Sequence, residues 1–276
     1  MSDTLDEQLA ELRSIAIMAG DMLLASMDSV GAIEQKAATE IVTEVDRRVE
    51  DAIIERVSHW FVGDTIEAEE SGKRAGATDR TWYIDPLDGT TNYAHGQPVF
   101  AVSMACADAD GLLLAGVYAP YLDELYLARR GGGARMERPR HGVQKLLTQR
   151  KAVDLNRALL ATGFPYVRDD AVDLNANRVR DFLRAHCHGV RRTGSAAMDL
   201  VHVAAGKLDG YWETTLRSWD TAAGTLIARE AGAIVSDQTG IEKAMHYENI
   251  LAAAPGLHAV MRDMLAQSAN GKEPTK

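Results

Sequence analysis

Trp82-Tyr83-Ile84-Asp85-Pro86-Leu87-Asp88-Gly89-Thr90-Thr91-Asn92 is the stretch from which the rest of the chain is read. Its first residues are aromatic or β-branched and favour a strand. The run then ends in two carboxylates three positions apart, with Pro86 stiffening the turn between them. Gly89 can adopt backbone angles that other residues resist. Carboxylates held at a strand end, followed by Gly-Thr with backbone N–H groups to offer, make a place for hard cations and a phosphate. Asp-Pro and Asp-Gly are also common turn signals, so this stretch alone is equally consistent with a solvated turn.

The totals narrow the classes. A chain of 276 residues can bury a sizeable core as one large domain or two smaller ones. Its 46% hydrophobic and 25% charged residues exclude wholesale disorder. No apolar run reaches the roughly eighteen residues of a membrane span. The N-terminus carries Asp3, Asp6, Glu7 and Glu11 where a signal peptide would be basic and then apolar, so a cytoplasmic location is expected. Cys106 and Cys187 are too few for a disulfide framework. A net charge of −10 disfavours nucleic acid and anionic membranes. The run Arg135, Arg138, Arg140 and Lys145 reads as a solvated loop.

Residues 4–27 carry Leu5, Leu9, Leu12, Ile15, Ala16, Ala19 and Leu23 at helical spacing, and residues 44–60 repeat the pattern through Val45, Val49, Ile53 and Val57. Asp46 sits in the first turn of the second helix, where a negative charge is favourable in itself. Strands are expected at Val99–Ala107, Leu112–Tyr118 and Glu124–Ala128, each bounded by turn residues. Gly131-Gly132-Gly133 lacks the Lys-Ser/Thr of a phosphate loop. Beyond it, strands near Arg157–Ala161, Val190–Thr193 and Asp209–Trp212 alternate with helices over 169–185, from Ala196 to Ala205, and from Trp219 to a stop at Gly232. An α+β half over 1–142 is therefore expected to precede an α/β half over 143–276, with a polar tail from about Ser268.

Asp85-Pro86-Leu87-Asp88-Gly89-Thr90-Thr91-Asn92, with Trp219-Asp220-Thr221-Ala222-Ala223 and Glu230-Ala231-Gly232 downstream, resembles the inositol monophosphatase family. The resemblance runs from Lys36 to about Ala254 and takes in Glu69-Glu70-Ser71, Gly163-Phe164-Pro165 and Gly194-Ser195-Ala196-Ala197. It implies a layered αβαβα sandwich of the inositol monophosphatase or sugar phosphatase type. It also implies a homodimer and a magnesium-dependent phosphomonoesterase holding two to three Mg2+ ions. In that scheme Glu69, Asp85, the Leu87 carbonyl, Asp88 and Asp220 are the metal ligands. Thr90 positions the attacking water beside Glu69, and Asp46 supports a further metal and its water. Gly89 and Thr90 offer N–H groups to the phosphate. Gly194, Ser195 and Ala196 lie near the sugar ring, Glu213 bonds polyol hydroxyls, and Lys36 lies on a loop near the metals. Ala68 and Ala233 replace glycines common in the family, and Met136–His141 is charged where an Asn-Gly turn is common.

The chemistry fits without the name. A phosphate monoester repels nucleophiles because its oxygens are already negative, and paired cations lower that barrier. Inositol monophosphate is the substrate expected first, because Glu213 and the small Ala196-Ala197 pair suit a compact polyol. Histidinol phosphate, or another sugar or nucleotide phosphate, is the alternative. Lithium inhibition follows if the three-metal arrangement resembles the family's.

Other readings fit less well. A haloacid-dehalogenase-type phosphatase uses Asp-x-Asp-Gly-Thr, with one intervening residue rather than the two found here. A glycosidase would use two carboxylates but leave Asp220 and the Gly-Thr turn idle. His186-Cys187-His188 has no second group at zinc-ligand spacing, and Ser195 lacks the G-x-S-x-G elbow of a nucleophile. Some bacterial members of the family are partners of the transcription machinery, which leaves a binding role as the alternative of another class.

Overall fold

The apolar stripe near the N-terminus becomes the buried face of helix α1 (Ser2–Ser26), where Leu9, Leu12, Ile15, Ala16, Ala19 and Leu23 are all shielded from solvent. The computed structural model describes residues 2–27, 33–37, 40–149, 154–165 and 170–269. An antiparallel pair, β1 (Ile33–Ala37) and β2 (Glu40–Thr43), leads into α2 (Glu44–Trp60). The side chain of Lys36 lies outside the described residues.

Then come β3 (Thr65–Ala68), β4 (Gly72–Arg74), β5 (Thr81–Asp88), the short helix α3 (Thr90–Ala94), β6 (Ala101–Asp108), β7 (Gly111–Ala119), β8 (Glu124–Arg129), β9 (Ala134–Arg138) and β10 (Val143–Leu146). Among the described residues they form an eight-stranded sheet in the order β10-β9-β8-β7-β6-β5-β3-β4. Its one parallel pair is β3 with β5. The second half contributes β11 (Leu159–Thr162), α4 (Asp170–Arg184), β12 (Gly189–Arg191), α5 (Ala196–Ala204), β13 (Gly210–Glu213), α6 (Ser218–Glu230), β14 (Ile234–Asp237), β15 (Ile250–Ala253) and α7 (Pro255–Ala269). These strands make a five-stranded sheet ordered β12-β11-β13-β15-β14, parallel across its first three strands.

Side-chain alternation assigns the layers. On β5, Trp82 and Ile84 pack with α1 and α2, while Tyr83 faces α5 and α6. On the second sheet, Ala161, Tyr211 and Ala252 meet α5 and α6 from the other side. Leu160, Trp212 and Leu251 turn outward, packing with Phe182 of α4 and Leu257 and Met261 of α7. The result is an αβαβα sandwich with α5 and α6 as its middle layer. Those two helices approach closely: a Cβ on Gly224 of α6 would lie 2.5 Å from Leu200 of α5.

Several expectations need correction. Strand β5 continues through Pro86 to Asp88 instead of stopping at Asp85, with an irregularity in its pairing to β6 between Asp85 and Asp88. The basic run is not a solvated loop. Arg135 and Arg138 lie on β9 and Lys145 on β10, Arg140 lies in the turn between them, and Arg135, Arg138 and Arg140 pair with Glu137, Glu124 and Asp21. Because β10 pairs with β9, the first half extends past 142 to Leu146. The strands β14 and β15 and the helix α7, which runs to Ala269 across the proposed start of the tail, were not anticipated. No helix among the described residues is long and apolar enough to cross a membrane.

Candidate active site

Parallel pairing of β3 and β5 brings their C-terminal ends side by side. Glu69 follows β3 directly, its N–H donating to the Ile84 carbonyl at 3.1 Å. Buried Glu50 of α2 accepts the N–H groups of Glu70 and Ser71, both at 2.8 Å, and so fixes this acidic turn. Side chains three apart on a regular strand point to opposite faces. The irregularity around Pro86-Leu87 breaks that alternation, and Asp85 steadies it by accepting the Leu87 N–H at 2.9 Å.

Gly89 has φ = 92°, a left-handed conformation that a side chain would resist. A Cβ there would also stand 3.0 Å from the Val99 carbonyl. The Thr90 hydroxyl lies 3.0 Å from the Leu87 carbonyl and 3.2 Å from the Asp46 carboxylate, which ties α2 to the site. Asn92 donates to the Val99 and Thr193 carbonyls at 2.6 and 2.8 Å, so the motif itself anchors the turn from the other half.

Ser195 is the N-cap of α5, accepting the Met198 N–H at 3.3 Å. Its hydroxyl donates to Asp88 at 2.5 Å, and the Ala197 N–H reaches the same oxygen at 2.7 Å. Ser195 therefore supports a carboxylate and is no nucleophile. Asp220 lies in the first turn of α6 and accepts the Arg217 N–H at 2.6 Å. Glu213 closes β13 and accepts the Tyr211 hydroxyl at 2.5 Å.

A cavity of about 620 Å³ brings these pieces together, a size that suits a small ligand. One wall is Glu69, Asp85, Leu87, Asp88, Gly89 and Thr90; facing it are Gly194, Ser195, Ala196, Glu213 and Asp220. Asp46 reaches the site through Thr90 rather than lining it. Among the described residues no three carboxylates close on one point as a finished ligand cage. Two of them, Asp88 and Asp220, instead accept N–H groups at the starts of α5 and α6.

The electrostatics are those of crowded acids. Burial, followed by the charges of Glu69, Asp88 and Asp220, holds Asp85 well above the usual carboxylate range, against a lowering by the Leu87 N–H. Burial raises Asp220 in the same way, opposed by the Arg217 N–H and helped by Asp88 and Glu69. Asp88 is pushed up to about 6 by burial, less than it would be without Ser195, Ala197 and the more distant Arg192 guanidinium. Burial raises Glu213 to about 7 despite the Tyr211 hydrogen bond. Carboxylates that oppose one another's ionisation in a shared cavity suit a site built for cations.

Sequence reasoning missed four contributors. Arg192 and Arg217 line the cavity, and neither lies in a local pattern that would mark it. Glu50, for which the sequence analysis assigns no role, is buried beneath the acidic turn. Gly163, noted only within its motif, passes so close to Glu213 that a Cβ would lie 2.0 Å from the carboxylate. In contrast, His186-Cys187-His188 forms no metal cluster among the described residues, and Cys187 is buried.

Comparison with known proteins agrees with this architecture. The model of the inositol monophosphatase family matches residues 5–272. Nus factor SuhB of Escherichia coli K12 is 41% identical over 257 residues, spanning 91% of this chain and 94% of that protein. The crystal structure of extragenic suppressor protein suhB from Bartonella henselae superposes with a TM-score of 0.86 at 31% identity, covering 94% of this chain and 98% of that one. Inositol monophosphatase from Anabaena gives a TM-score of 0.84 at 33% identity, covering 96% and 97%. The chain belongs to the inositol monophosphatase family.

Proposed function

We propose that this protein is a magnesium-dependent phosphomonoesterase that hydrolyses a small polyol phosphate, with inositol monophosphate as the first substrate to test. The observation that carries the reading is the single cavity shared by Glu69, Asp85, Asp88 and Asp220 with the Leu87 residue and the Gly89-Thr90 turn. The donors are all hard oxygens, the set that Mg2+ takes, and a cation among them would offset the burial, and the repulsion added to it, that raise Asp85 and Asp220. Glu69, Asp85, the Leu87 carbonyl, Asp88 and Asp220 would hold the magnesium. When bound, magnesium supplies neutralisation of the ester oxygens and acidification of a water.

The chain's own residues divide the remaining work. Gly89 and Thr90 offer backbone N–H groups to the phosphate. Glu69 and Thr90 orient the attacking water, with Asp46 holding the Thr90 hydroxyl in place. Glu213 accepts hydroxyls of the polyol, beside the turn at Gly194, Ser195 and Ala196. A cytoplasmic homodimer is the assembly in which we expect this to operate.

The test is phosphate release from inositol monophosphate, histidinol phosphate and fructose bisphosphate, with magnesium and with a chelator. Magnesium-dependent turnover, fastest on inositol monophosphate, is expected. Turnover that survives chelation would refute the reading.

The pH profile gives a second check. Glu213 accepts hydroxyl hydrogen bonds more strongly, and with both oxygens, when ionised, and burial pushes its pKa up to about 7. KM for the polyol phosphate should therefore fall as pH rises from 6 to 8. Glu213→Gln should flatten that dependence and raise KM at pH 8. A KM independent of pH in the unaltered protein would remove Glu213 from this role.

A second role is supported by the relatives. Identity of 41% across nearly the full length of a protein named as a Nus factor favours a transcription-machinery partner for this chain as well. Pull-down of purified transcription factors by an activity-dead variant would separate that role from catalysis.

A further inference from the structure

Strand β3 reads Thr65-Ile66-Glu67-Ala68, and its alternation splits the four residues between two environments. Ile66 and Ala68 are buried in the core beneath α1 and α2. Glu67 faces the other way, toward the middle helices, level with Tyr83 of the neighbouring strand. There its carboxylate accepts a hydrogen bond from the hydroxyl of Ser218, the first residue of α6. The ring of His246 packs edge-on against Tyr83 at 5.5 Å and helps wall off this corner.

A second contact lies one residue further along. The hydroxyl of Ser103 on β6 donates to the Trp219 carbonyl at 3.1 Å, and Ser103 pairs directly with Asp85 in the sheet. The first turn of α6 is thus held to the large sheet at two consecutive residues. Glu67 is two positions before Glu69, Ser103 is opposite Asp85, and both contacts fall immediately before Asp220. The Asp220 carboxylate is turned to the Arg217 N–H.

We infer that Glu67 and Ser103 are positioning residues: through Ser218 and the Trp219 carbonyl they fix where Asp220 stands relative to Glu69 and Asp85. The inference rests on the cation-binding reading of the cavity. Groups that orient ligands without touching the metal change affinity by about 10–100-fold when lost. Glu67 also carries charge, so its hydrogen bond and its field have to be separated.

The experiment is calorimetric titration of Mg2+ into the full chain and its variants, with circular dichroism reporting the fold. Unaltered protein that takes up no Mg2+ would overturn the cation reading itself and the inference with it. Given binding, Ser218→Ala and Glu67→Ala should each weaken it roughly 10–100-fold. Glu67→Gln keeps an acceptor oxygen and should stay within about threefold of the unaltered protein. The Ser218→Ala/Glu67→Ala double variant should bind no more weakly than the worse single variant, because both remove one contact. Ser103→Ala tests the second tie and is expected to weaken Mg2+ binding in the same direction; a folded Ser103→Ala variant that binds like the unaltered protein overturns the role of Ser103. The inference is overturned if folded Ser218→Ala binds like the unaltered protein, or if Glu67→Gln is as weak as Glu67→Ala. If Ser218→Ala does not fold, the Glu67→Gln and Glu67→Ala pair decides alone.

Discussion

Asp220→Asn is expected to cut phosphate release by on the order of 10³-fold or more, about 4 kcal/mol in the barrier, while leaving the fold intact. The substitution keeps the shape, and an amide oxygen can still accept the Arg217 N–H that the carboxylate accepts at 2.6 Å. What disappears is a charge aimed at cations. The stability effect should run the other way. Burial holds the Asp220 carboxyl well above its ordinary range, so its ionised form costs the native state stability above that range. A neutral amide removes the cost, and the metal-free variant should melt no lower than the unaltered protein at pH 7.5. Calorimetric melting beside a phosphate-release assay reads both effects. Unchanged turnover would take Asp220 out of the site.

Gly163→Ala should be damaging for a different reason, and only toward a polyol substrate. The new Cβ would stand 2.0 Å from the Glu213 carboxylate, so the side chain has to move. Moving the end of a flexible side chain is cheap for folding, and the melting temperature should shift by only a degree or two, consistent with less than about 1 kcal/mol. A displacement of this kind in a substrate-positioning group costs about 10²-fold, and here it should appear mainly in KM for a polyol phosphate. A simple aryl phosphate without hydroxyls should be hydrolysed almost normally by the same variant. Equal losses on both substrates would show that the glycine serves the metals or the fold instead.

These two residues also mark what could be read before any coordinates. Asp220 was legible only through the resemblance that Trp219-Asp220-Thr221-Ala222-Ala223 carries; the residues by themselves mark a helix start with an acid in its first turn. Asp85 to Thr90 stood out without it, because acids, a turn and a glycine sit in one short run. The core face of α1 was likewise visible in its spacing. The importance of Gly163 was not, because it depends on Glu213, fifty residues away and across the β11–β13 pairing. Glu50 was hidden for a related reason: a helical glutamate looks solvated until the turn it supports is folded over it.

The errors have physical causes too. Arg135 and Arg138 lie on strands near the sheet edge, where charged residues paired with Glu137 and Glu124 mimic a polar loop. Pro86 suggested a strand end, but the pairing irregularity between Asp85 and Asp88 accommodates it within β5. Helix α7 did carry a signal, since Leu257, Met261 and Leu265 repeat every four residues and are buried.

The most direct measurement is a crystal of the protein soaked in Mn2+ and recorded at a wavelength where manganese scatters anomalously. Anomalous peaks are expected in the cavity, within coordination distance of carboxylate oxygens from Glu69, Asp85, Asp88 and Asp220. No peak there, or peaks bound only to other residues, would contradict the cation-binding reading.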